Sequence, residues 1–416
     1  MRLTRVGVVF LTGALASGPL ALSGQDGVPR VTLAEALEAF GENSPALRIA
    51  RAEAAGIAGR ARQSRSYANP AFSLLREDLS RSGEDYWEAT AGLMQRIEWP
   101  GRTVARGVAA RHTITGTEAR FRADSLQLVF AVREAYVRAW LAEEAERTIR
   151  QAAEMIQVVT RAAEQRLEAG DISGYETRRL RLGRIQAEKD EADAELRTRA
   201  ARRLLASLVL PEVSLHELGP ADAIVGVPPA IASGSALAAL SRRPDLEAAA
   251  RELDAARAQH RVANLEWVPD PTLSLAYKEH ADGFKGATVG VDLPLPIFNR
   301  AGGAREEAAA RESAATSGLD LLRRQAELDL VDASDRYSVA RERLEATGDG
   351  IMAEAEALLS AARVAYDEGE MTLVEFLDAT AAFRDARLSA LTLRAEAWIA
   401  YYNLVRAMGG GPGEES

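Results

Sequence analysis

Few side chains of this chain have the types and spacing that catalysis or metal binding requires. Its four histidines are scattered and form no HExxH motif or other close ligand pair; they are His112, His216, His260 and His280. Adjacent carboxylates such as Glu143 and Glu144 lie within predicted helices, where forming a solvated face is their ordinary role. Cysteine is absent, which excludes disulfides, thiolate metal sites, a catalytic thiol and an acylated N-terminal cysteine. We therefore predict no catalytic site, no bound metal and no cofactor.

The composition favours a protein of long helices that does not bind nucleic acid. The 416 residues carry 51 Lys and Arg against 61 Asp and Glu, a net charge of −10, whereas nucleic acids favour basic surfaces. Hydrophobic residues make up 47% and aromatic residues only 6% of the chain, with Ala, Leu, Glu and Arg dominant. After residue 24 no stretch is apolar enough for a membrane helix of about 20 residues. If the chain crosses a membrane, it must therefore do so with strands.

The first segment, residues 1–23, has the pattern of an export signal. Two arginines precede the apolar run 6–22, and a small-x-small sequence precedes Gly24. A frayed N-terminal helix is the alternative interpretation. The pattern predicts an exported mature chain that begins near Gly24.

Two proline-free runs, 101–210 and 297–411, are predicted to form antiparallel helical hairpins. Apolar residues recur three and four positions apart, which is the period of a helix with a coiled-coil-like seam. Each run contains one turn signal, in which a glycine ends the first helix and a hydroxyl residue caps the second. The first arms, about 103–168 and 304–367, would each reach roughly 100 Å.

The two turn signals share one pattern. Gly170 and Gly369 fit the position that ends a helix, and Ser173 and Thr372 can cap the helices that follow. A glutamate stands three residues after each cap and completes a capping box; these are Glu176 and Glu375.

The chain repeats itself at a long period. The second turn follows the first at an offset of 199 residues, and Asp270-Pro271 follows Asn69-Pro70 at an offset of 201. The predicted segments are a first repeat over 24–210, a Pro/Gly-rich linker over 211–235, a second repeat over 236–408 and a tail over 409–416. Each repeat is expected to contain a helix, a strand hairpin and a long helical hairpin.

Alternating residues predict two strands in each repeat. They are expected at about 71–77, 87–99, 272–278 and 287–293, with polar turns over 77–86 and 279–286. Strands with one apolar face are typical of a transmembrane barrel, although a soluble hairpin packed on the helices has the same pattern. Four strands cannot close a barrel, so the membrane interpretation requires an oligomer. Aromatic residues that could then lie at the lipid headgroups are Trp87, Trp99, Trp267 and Tyr277.

Three segments carry a resemblance to a known family. They are the second turn over 369–380, the first turn over 166–176 and the proline-rich segment over 293–300. The two turns resemble the helical tips of the TolC family of outer-membrane efflux proteins, and the resemblance covers nearly the whole mature chain. The third segment, Leu-Pro-Leu-Pro-Ile-Phe-Asn-Arg, looks most like the heavy-metal branch, which is CzcC- and CusC-like.

The resemblance implies a mainly α-helical fold with a small β part. Family members are homotrimers, and three protomers with four strands each form a 12-stranded transmembrane β-barrel. Their long antiparallel helical hairpins continue this barrel as a periplasmic α-barrel tunnel. A periplasmic adaptor protein and an inner-membrane pump, here of the resistance–nodulation–division (RND) type, complete the efflux machine.

By the same resemblance, residues beside the turns form a gate and a docking surface. Glu375 and Asp378 match acidic positions that ring the family's periplasmic entrance. Glu176 matches an acidic position beside the first tip that would help to hold the closed gate, with Tyr366 as a hydrogen-bonding partner. Capping is the alternative role of the two glutamates. The turns are the expected adaptor-docking surface, and their residues are Gly170, Asp171, Ile172, Ser173, Gly369, Glu370, Met371 and Thr372. Met371 stands where some relatives carry an arginine that helps to close the tip.

We expect a passive exit duct of a tripartite efflux system, in the outer membrane of a Gram-negative cell and with a periplasmic extension. The sequence leaves the cargo open between metal cations and small organic molecules. A periplasmic coiled-coil adaptor is the alternative, but the long proline-free runs leave no room for its strand-rich domains. An export-pathway enzyme is a third hypothesis, which the absence of catalytic motifs disfavours.

Overall fold

The computed structural model describes residues 27–169, 173–210, 216–231 and 238–410. The predicted signal peptide, 1–23, lies outside these ranges, as do Gly170, Asp171 and Ile172 of the first turn. Parts of the predicted linker and most of the predicted tail lie outside them as well. Most described residues are helical, and the sheet is small.

Each repeat contains a helix, a strand hairpin and a long helical hairpin. The elements of the first repeat are β1 (Arg30–Val31), α1 (Leu33–Asn43), α2 (Pro45–Gln63), β2 (Ala71–Arg81), β3 (Glu84–Arg96), α3 (Pro100–Ala169) and α4 (Gly174–Val209). After them come β4 (Gly219–Pro220), a 3₁₀ turn (Leu240–Arg242), α5 (Pro244–Asn264), β5 (Thr272–His280), β6 (Lys285–Asp292), α6 (Gly302–Arg343), α7 (Asp349–Asp367) and α8 (Leu373–Ala407). The predicted mainly helical, duplicated fold with a small sheet is confirmed.

Local sequence explains where several helices begin. Thr32 caps α1 in a capping box, because its hydroxyl accepts from the Glu35 N–H at 3.1 Å and its own N–H donates to the Glu35 carboxylate at 2.8 Å. Ser44 caps α2, and Pro45 follows at the first helical position, where no N–H partner is needed. α5 likewise begins at a proline, Pro244. Among the described helices, none is both long enough and apolar enough to cross a membrane.

The longer strands form one antiparallel sheet in the order β2-β3-β5-β6. Its register places Ala71 opposite Met94, Arg96 opposite Thr272, and Thr272 opposite Asp292. β2 and β6 are the edges, and within the described ranges neither of them pairs with a further strand. The outward backbone groups of both edges are therefore open.

The strands run further into the predicted turns than expected. The first hairpin closes at Ser82 and Gly83, whose φ values of 54° and 96° give a two-residue turn that matches the twist of paired strands. The predicted turn over 77–86 is therefore wrong, because its polar residues pair in the ladder. The second hairpin turns over 281–284 rather than over 279–286.

The first arm of the second helical hairpin is interrupted, which corrects the prediction of one continuous α-helix over 304–367. A π-helical turn, Leu344–Gly348, separates α6 from α7. Leu344 is buried there, and a methyl group on Gly348 would lie 2.6 Å from its Cδ1 atom. The absence of a side chain at Gly348 makes room for this wider turn. α3, by contrast, continues for 70 residues.

The largest hydrophobic core lies where α1, α3 and α4 meet. Phe40, Tyr136 and Leu205 are buried together in it. The Tyr136 hydroxyl donates to the Val31 carbonyl at 3.1 Å and accepts from the Asp222 N–H at 3.0 Å. Burial raises the pKa of Tyr136 to about 12, so the hydroxyl stays protonated and holds both short strands against α3.

Candidate functional site at the helical turns and the sheet

The second helical turn links α7 to α8 through a glycine. Gly369 has a φ of 79°, a left-handed conformation that glycine adopts without steric strain. Its N–H donates to the Tyr366 carbonyl at 3.1 Å, and the N–H groups of Glu370 and Met371 donate to the Ala365 carbonyl at 2.9 and 3.1 Å. These bonds satisfy carbonyls at the end of α7 and fix the point where the chain reverses.

Glu375 forms the predicted capping box with Thr372. Its N–H donates to Thr372 Oγ1 at 3.3 Å, and its carboxylate accepts from the Thr372 N–H at 2.8 Å and from the hydroxyl at 2.7 Å. The hydrogen bonds from the Thr372 hydroxyl and backbone lower the pKa of Glu375. An ionised carboxylate is therefore held on the exposed first turn of α8.

Asp378 lies one helical turn beyond Glu375 and is also exposed. It forms no ion pair with any residue that the structure describes. Tyr366 is half-buried, and its ring packs on Phe376 with the two centroids 5.0 Å apart. The structure thus brings the two predicted gate acids onto one exposed face, while Tyr366 belongs to the packing beneath them.

The first turn lies at the same end of the molecule as the second. The ends of α3, α4, α7 and α8 share one buried cluster of Val159, Ala163, Leu180, Ala362 and Phe376. Both helical hairpins therefore reverse within one tip region.

The predicted tip residues differ in their surroundings. Ser173 precedes α4, and its carbonyl accepts from the Thr177 N–H at 3.3 Å. Met371 is half-buried and packs against the cluster described above, whereas Glu370 and Thr372 are exposed. The side chain of Glu176 lies outside the part of the chain that the structure describes.

An acidic stripe that the sequence analysis missed continues along α8 from the gate acids. Its exposed members are Glu375, Asp378, Asp385 and Glu396. Their spacings from Glu375 of 3, 10 and 21 residues place them on one face of a straight helix. The exposed residues between them on this face, Ala382, Ser389 and Thr392, carry no charge. The signal was a set of acids separated by 3, 7 and 11 residues, which is easily hidden among the many charged residues of these helices.

One face of the sheet carries exposed apolar side chains. In its four strands these include Leu74, Leu93, Leu275 and Val291, each more than half exposed. Monomeric soluble proteins rarely expose a continuous apolar surface that extends over a whole sheet. The alternation is therefore that of a sheet whose outer face lies against lipid or another apolar surface.

The predicted interface aromatics lie at different levels of this sheet. Trp87 and Tyr277 stand on the apolar face, whereas Trp99 and Trp267 lie outside the strands, at the helical end of the sheet. Trp87 and Arg96 are nine positions apart in β3. At a strand tilt of about 40° that distance gives a band about 23 Å tall, close to the ~25 Å apolar band of outer-membrane barrels.

A buried carboxylate joins the two repeats at the base of the sheet. Asp270 is 4% exposed, and it accepts from the guanidinium groups of Arg102 and Arg96, each at 2.8 Å, and from the Trp99 N–H at 3.1 Å. Burial alone would raise the pKa of Asp270, but the hydrogen bonds from Trp99 and Arg96 and the charge of Arg102 hold it below its usual value. These contacts end β3 at Arg96 rather than at the predicted position 99. In the sequence, Asp270 stands out only as part of the repeat.

The histidines do not converge. His112 lies 3.7 Å from Asp254, and His260 lies 2.7 Å from Glu312. Across the described ranges, no three His, Asp or Glu side chains are grouped as metal ligands are. What the described residues offer is a row of exposed carboxylates on α8, which attracts cations electrostatically.

The family model for the outer membrane efflux protein matches the chain twice, over residues 36–209 and 237–410. The chain belongs to the outer membrane efflux protein family. Each match covers one helical hairpin and the strand hairpin that precedes it. This membership favours an outer-membrane efflux channel over a periplasmic adaptor, and the predicted TolC-type resemblance is confirmed.

Two relatives of this efflux protein are metal-resistance proteins. The cobalt-zinc-cadmium resistance protein CzcC of Cupriavidus metallidurans is 27% identical over 395 residues, which cover 91% of this chain and 90% of the relative. The nickel-cobalt-cadmium resistance protein NccC of Alcaligenes xylosoxydans is 26% identical over 298 residues, covering 68% and 65%.

Solved channels share the fold of this efflux protein. The Campylobacter jejuni CmeC outer membrane channel matches with a TM-score of 0.78 at 18% identity, covering 92% of this chain and 87% of that one. The open-state Neisseria gonorrhoeae MtrE outer membrane channel gives 0.76 at 20% identity, covering 91% and 89%. CusC gives 0.75 at 19% identity, covering 91% and 92%. The protein is an outer-membrane efflux channel with a periplasmic helical extension, as predicted.

Proposed function

We propose that this efflux protein is a trimeric exit duct through which divalent metal cations leave the cell. One observation carries the proposal: a sheet with an apolar outer face, whose two edges pair with no further strand among the described residues, stands at one end of helices about 100 Å long. Unpaired strand edges are not tolerated in lipid, so several copies of the sheet must close on one another. Three copies of four strands give a 12-stranded barrel, whose wall the helices continue into the periplasm.

The connectivity supports one orientation in the membrane. Residues 1–23 direct export and are then removed. Each strand pair is reached and left through helices, so the hairpin turns at Gly83 and at 281–284 face the cell exterior. Trp87 and Tyr277 then lie toward the outer headgroups, and Trp99 and Trp267 toward the inner ones. The helical turns lie at the opposite end, deep in the periplasm.

Two lines of support favour divalent transition-metal cations as cargo. The relatives are named for resistance to cobalt, zinc, cadmium and nickel. The acidic stripe of α8, in which Asp385 pairs with Arg384, would lower the electrostatic energy of a cation if it lines the lumen. We place that face toward the lumen. A duct of this kind performs no covalent step and needs no catalytic residue.

The gate is proposed at the tip of the helical hairpins. Glu375 and Asp378 from three copies would ring one aperture, and Glu176 of the first hairpin would join them. The ring of Tyr366, which packs on Phe376, would support the helix end that carries these acids. The capping box keeps Glu375 ionised, so the same residue can both cap α8 and contribute charge to the aperture.

The tips are also the proposed contact with the export machinery. The exposed residues of the second turn, Glu370 and Thr372, would face a periplasmic adaptor together with the neighbouring Gly369 and Met371. In the first turn, Gly170, Asp171, Ile172 and Ser173 would do the same. An inner-membrane pump of the RND type would supply the energy through this adaptor.

Cellular accumulation of cargo tests the proposal. Cells that lack the protein should retain more radioactive Zn²⁺ and Co²⁺ than cells that express it. Both kinds of cell should retain the same amount of an organic cation dye. Gly92→Val should fail to restore export, since even a methyl group there would lie 2.8 Å from the Ala276 Cβ atom. Gly286→Val is the matched control, because nothing lies within 4 Å of a Cβ atom added there. If cells that lack the protein retain more dye but no more metal, the proposed cargo is wrong. If they retain no more of either, the proposed duct is wrong.

A further inference from the structure

We propose that the two open edges of the sheet meet in one defined register, in which Asp292 of β6 lies opposite Ser73 of the partner subunit. This inference rests on the proposed trimer and adds which residues meet in it. Its template is the internal duplication. Within the chain, the β3–β5 contact joins the last strand of the first repeat to the first strand of the second repeat. Between copies, a contact of β6 with β2 of the partner subunit would join the last strand of one second repeat to the first strand of the partner's first repeat.

The first strands of the two hairpins start at equivalent places. Both β2 and β5 begin directly after a proline, so Ala71 corresponds to Thr272. Two residues further on, Ser73 corresponds to Ser274.

The second strands are matched through their observed pairing. Met94 lies opposite the first residue of β2, and Asp292 lies opposite the first residue of β5, so these two residues correspond. Within the chain Met94 lies opposite Ser274. Asp292 corresponds to Met94, and Ser73 corresponds to Ser274. The same pairing between copies therefore places Asp292 opposite Ser73 of the partner subunit.

The faces of the strands agree with this register. One step along, Val291 lies opposite Leu74 of the partner subunit, and these apolar side chains are 65% and 72% exposed in the single chain. The equivalent pair within the chain is Leu93 opposite Leu275. A slip of one residue would turn apolar side chains to the polar face, whereas a slip of two would keep the faces matched. The internal copy therefore selects the register among the slips that hydrophobicity permits.

The helices beside the sheet are uncovered at the same place. In α5, Ala248 is buried, and its carbonyl would lie 3.5 Å from a methyl group on Gly116 of α3. α2 corresponds to α5, since each starts with a proline at its first position. Ile49 occupies the place of Ala248 in α2, yet it is 59% exposed. The counterpart of the α3–α5 contact is therefore α6 packed against α2 of the partner subunit.

The connections after the strands give the same picture. After β3, the Ile97 N–H donates to the Pro271 carbonyl at 2.8 Å, so this connection is docked on the segment before β5. After β6, the corresponding connection leaves Phe298 fully exposed, and the segment 64–70 before β2 is exposed as well. If the connection after β6 docked on segment 64–70 of the partner subunit, both of these exposed segments would be covered.

Cysteine cross-linking in outer membranes tests the register, because the natural chain contains no cysteine. Asp292→Cys is combined in turn with Ala71→Cys, Ser73→Cys and Leu75→Cys, which lie on one face of β2. After mild oxidation we expect covalent dimers and trimers chiefly with Ser73→Cys, because directly opposed residues lie about 5 Å apart and those two positions away about 7–8 Å. Met94→Cys with Ser274→Cys, opposed within one chain, is the positive control for oxidation.

The mass of the unmodified protein in mild detergent separates the possible failures. A mass of three chains supports the trimer. If the copies then link chiefly through Ala71→Cys or Leu75→Cys, or do not link at all, the register is wrong. A mass of one chain with no links between chains would overturn the trimer and the register together. Three chains with preferred linking through Ser73→Cys support both.

Discussion

Asp270 and Arg102 are 168 residues apart in the sequence, yet their carboxylate and guanidinium groups lie 2.8 Å apart at the base of the sheet. Both side chains are almost fully buried, and Arg102 also donates to the carbonyls of Leu265 and Val268 at 2.9 and 2.6 Å. The pair ties the start of α3 in the first repeat to the start of β5 in the second. It thereby reinforces the junction between the sheet and the helices.

Removing the charge of Asp270 should destabilise the protein. Asp270→Asn leaves the Arg102 guanidinium buried without its counter-charge, and breaking a buried pair in this way costs roughly 3 kcal/mol. Glu252→Gln is the matched control, because the Arg120–Glu252 pair is 3.5 Å long and exposed, and such pairs contribute about 0–1 kcal/mol. Thermal unfolding in detergent at one scan rate measures both. Equal shifts of the two midpoints would contradict this role.

The same pair should respond to acid. Because the folded-state pKa of Asp270 is lowered, its contribution to stability is fully present above the ordinary carboxyl pKa of about 3.9. The contribution is lost as the pH falls through the lowered pKa. The difference in stability between the wild type and Asp270→Asn should therefore shrink over that interval, and a difference that stays constant would show that ionisation of Asp270 is not its source.

The left-handed glycine of the second tip should resist substitution. Gly369→Ala places a side chain at a φ of 79° and should weaken the turn by about 1 kcal/mol, which is about a fivefold gain in the exchange rate of protected amides at the start of α8. Gly350→Ala in α7 is the control, since nothing lies within 4 Å of the added methyl group and alanine favours a helix. Hydrogen exchange followed by mass spectrometry measures the effect. Similar protection in both variants would mean that the tip does not depend on this turn.

The two acids on the first turns of α8 should control the passage of cations. Glu375→Gln with Asp378→Asn keeps the capping geometry possible but removes two charges from each copy. We expect block of the current by divalent cations to weaken about tenfold, equivalent to about 1.4 kcal/mol, together with lower selectivity for cations. Asp385→Asn is the control on the same stripe, since Arg384 lies 2.9 Å from that carboxylate. If the control changes block as much as the double variant, the constriction lies elsewhere.

The strand turns and the helical turns should be reached from opposite sides of the outer membrane. An epitope inserted at Gly83 or Asp282 should bind antibody on intact cells, because both positions lie in the turns of the strand hairpins. An epitope inserted at Gly369 should bind only after the outer membrane is permeabilised. Whole-cell immunofluorescence measures both, and the reverse pattern would mean that the proposed orientation is inverted.

Features set by neighbouring residues could be predicted from the sequence. The turn at Gly369 and the capping box of Thr372 and Glu375 depend on positions within one helical turn, and both have the predicted geometry. The strand hairpins were also found, because alternation of apolar residues is a local signal. The ends of the strands were not predicted correctly, since polar residues on either side of Gly83 pair across a tight turn instead of forming a loop.

Features set by distant residues could not be predicted in this way. Arg102 could be matched to Asp270 only through the fold, and this junction is what ends β3 before Trp99. The π-helical turn Leu344–Gly348 depends on burial of Leu344, which its neighbours in the sequence do not indicate. The arrangement of acids along α8 was present in the sequence, but only the folded chain shows that all four are exposed on one face.

The electrical conductance of the purified full chain in planar lipid bilayers tests the central claim most directly. The claim is that copies of this chain close into a water-filled duct whose carboxylates favour cations. We predict discrete, long-lived steps of current that select cations over anions, and no steps from Gly92→Val protein, because the added side chain would clash with Ala276, which lies opposite Gly92 in the neighbouring strand of the same sheet. Wild-type protein that floats with lipid vesicles but gives no steps, or gives steps selective for anions, would contradict the account.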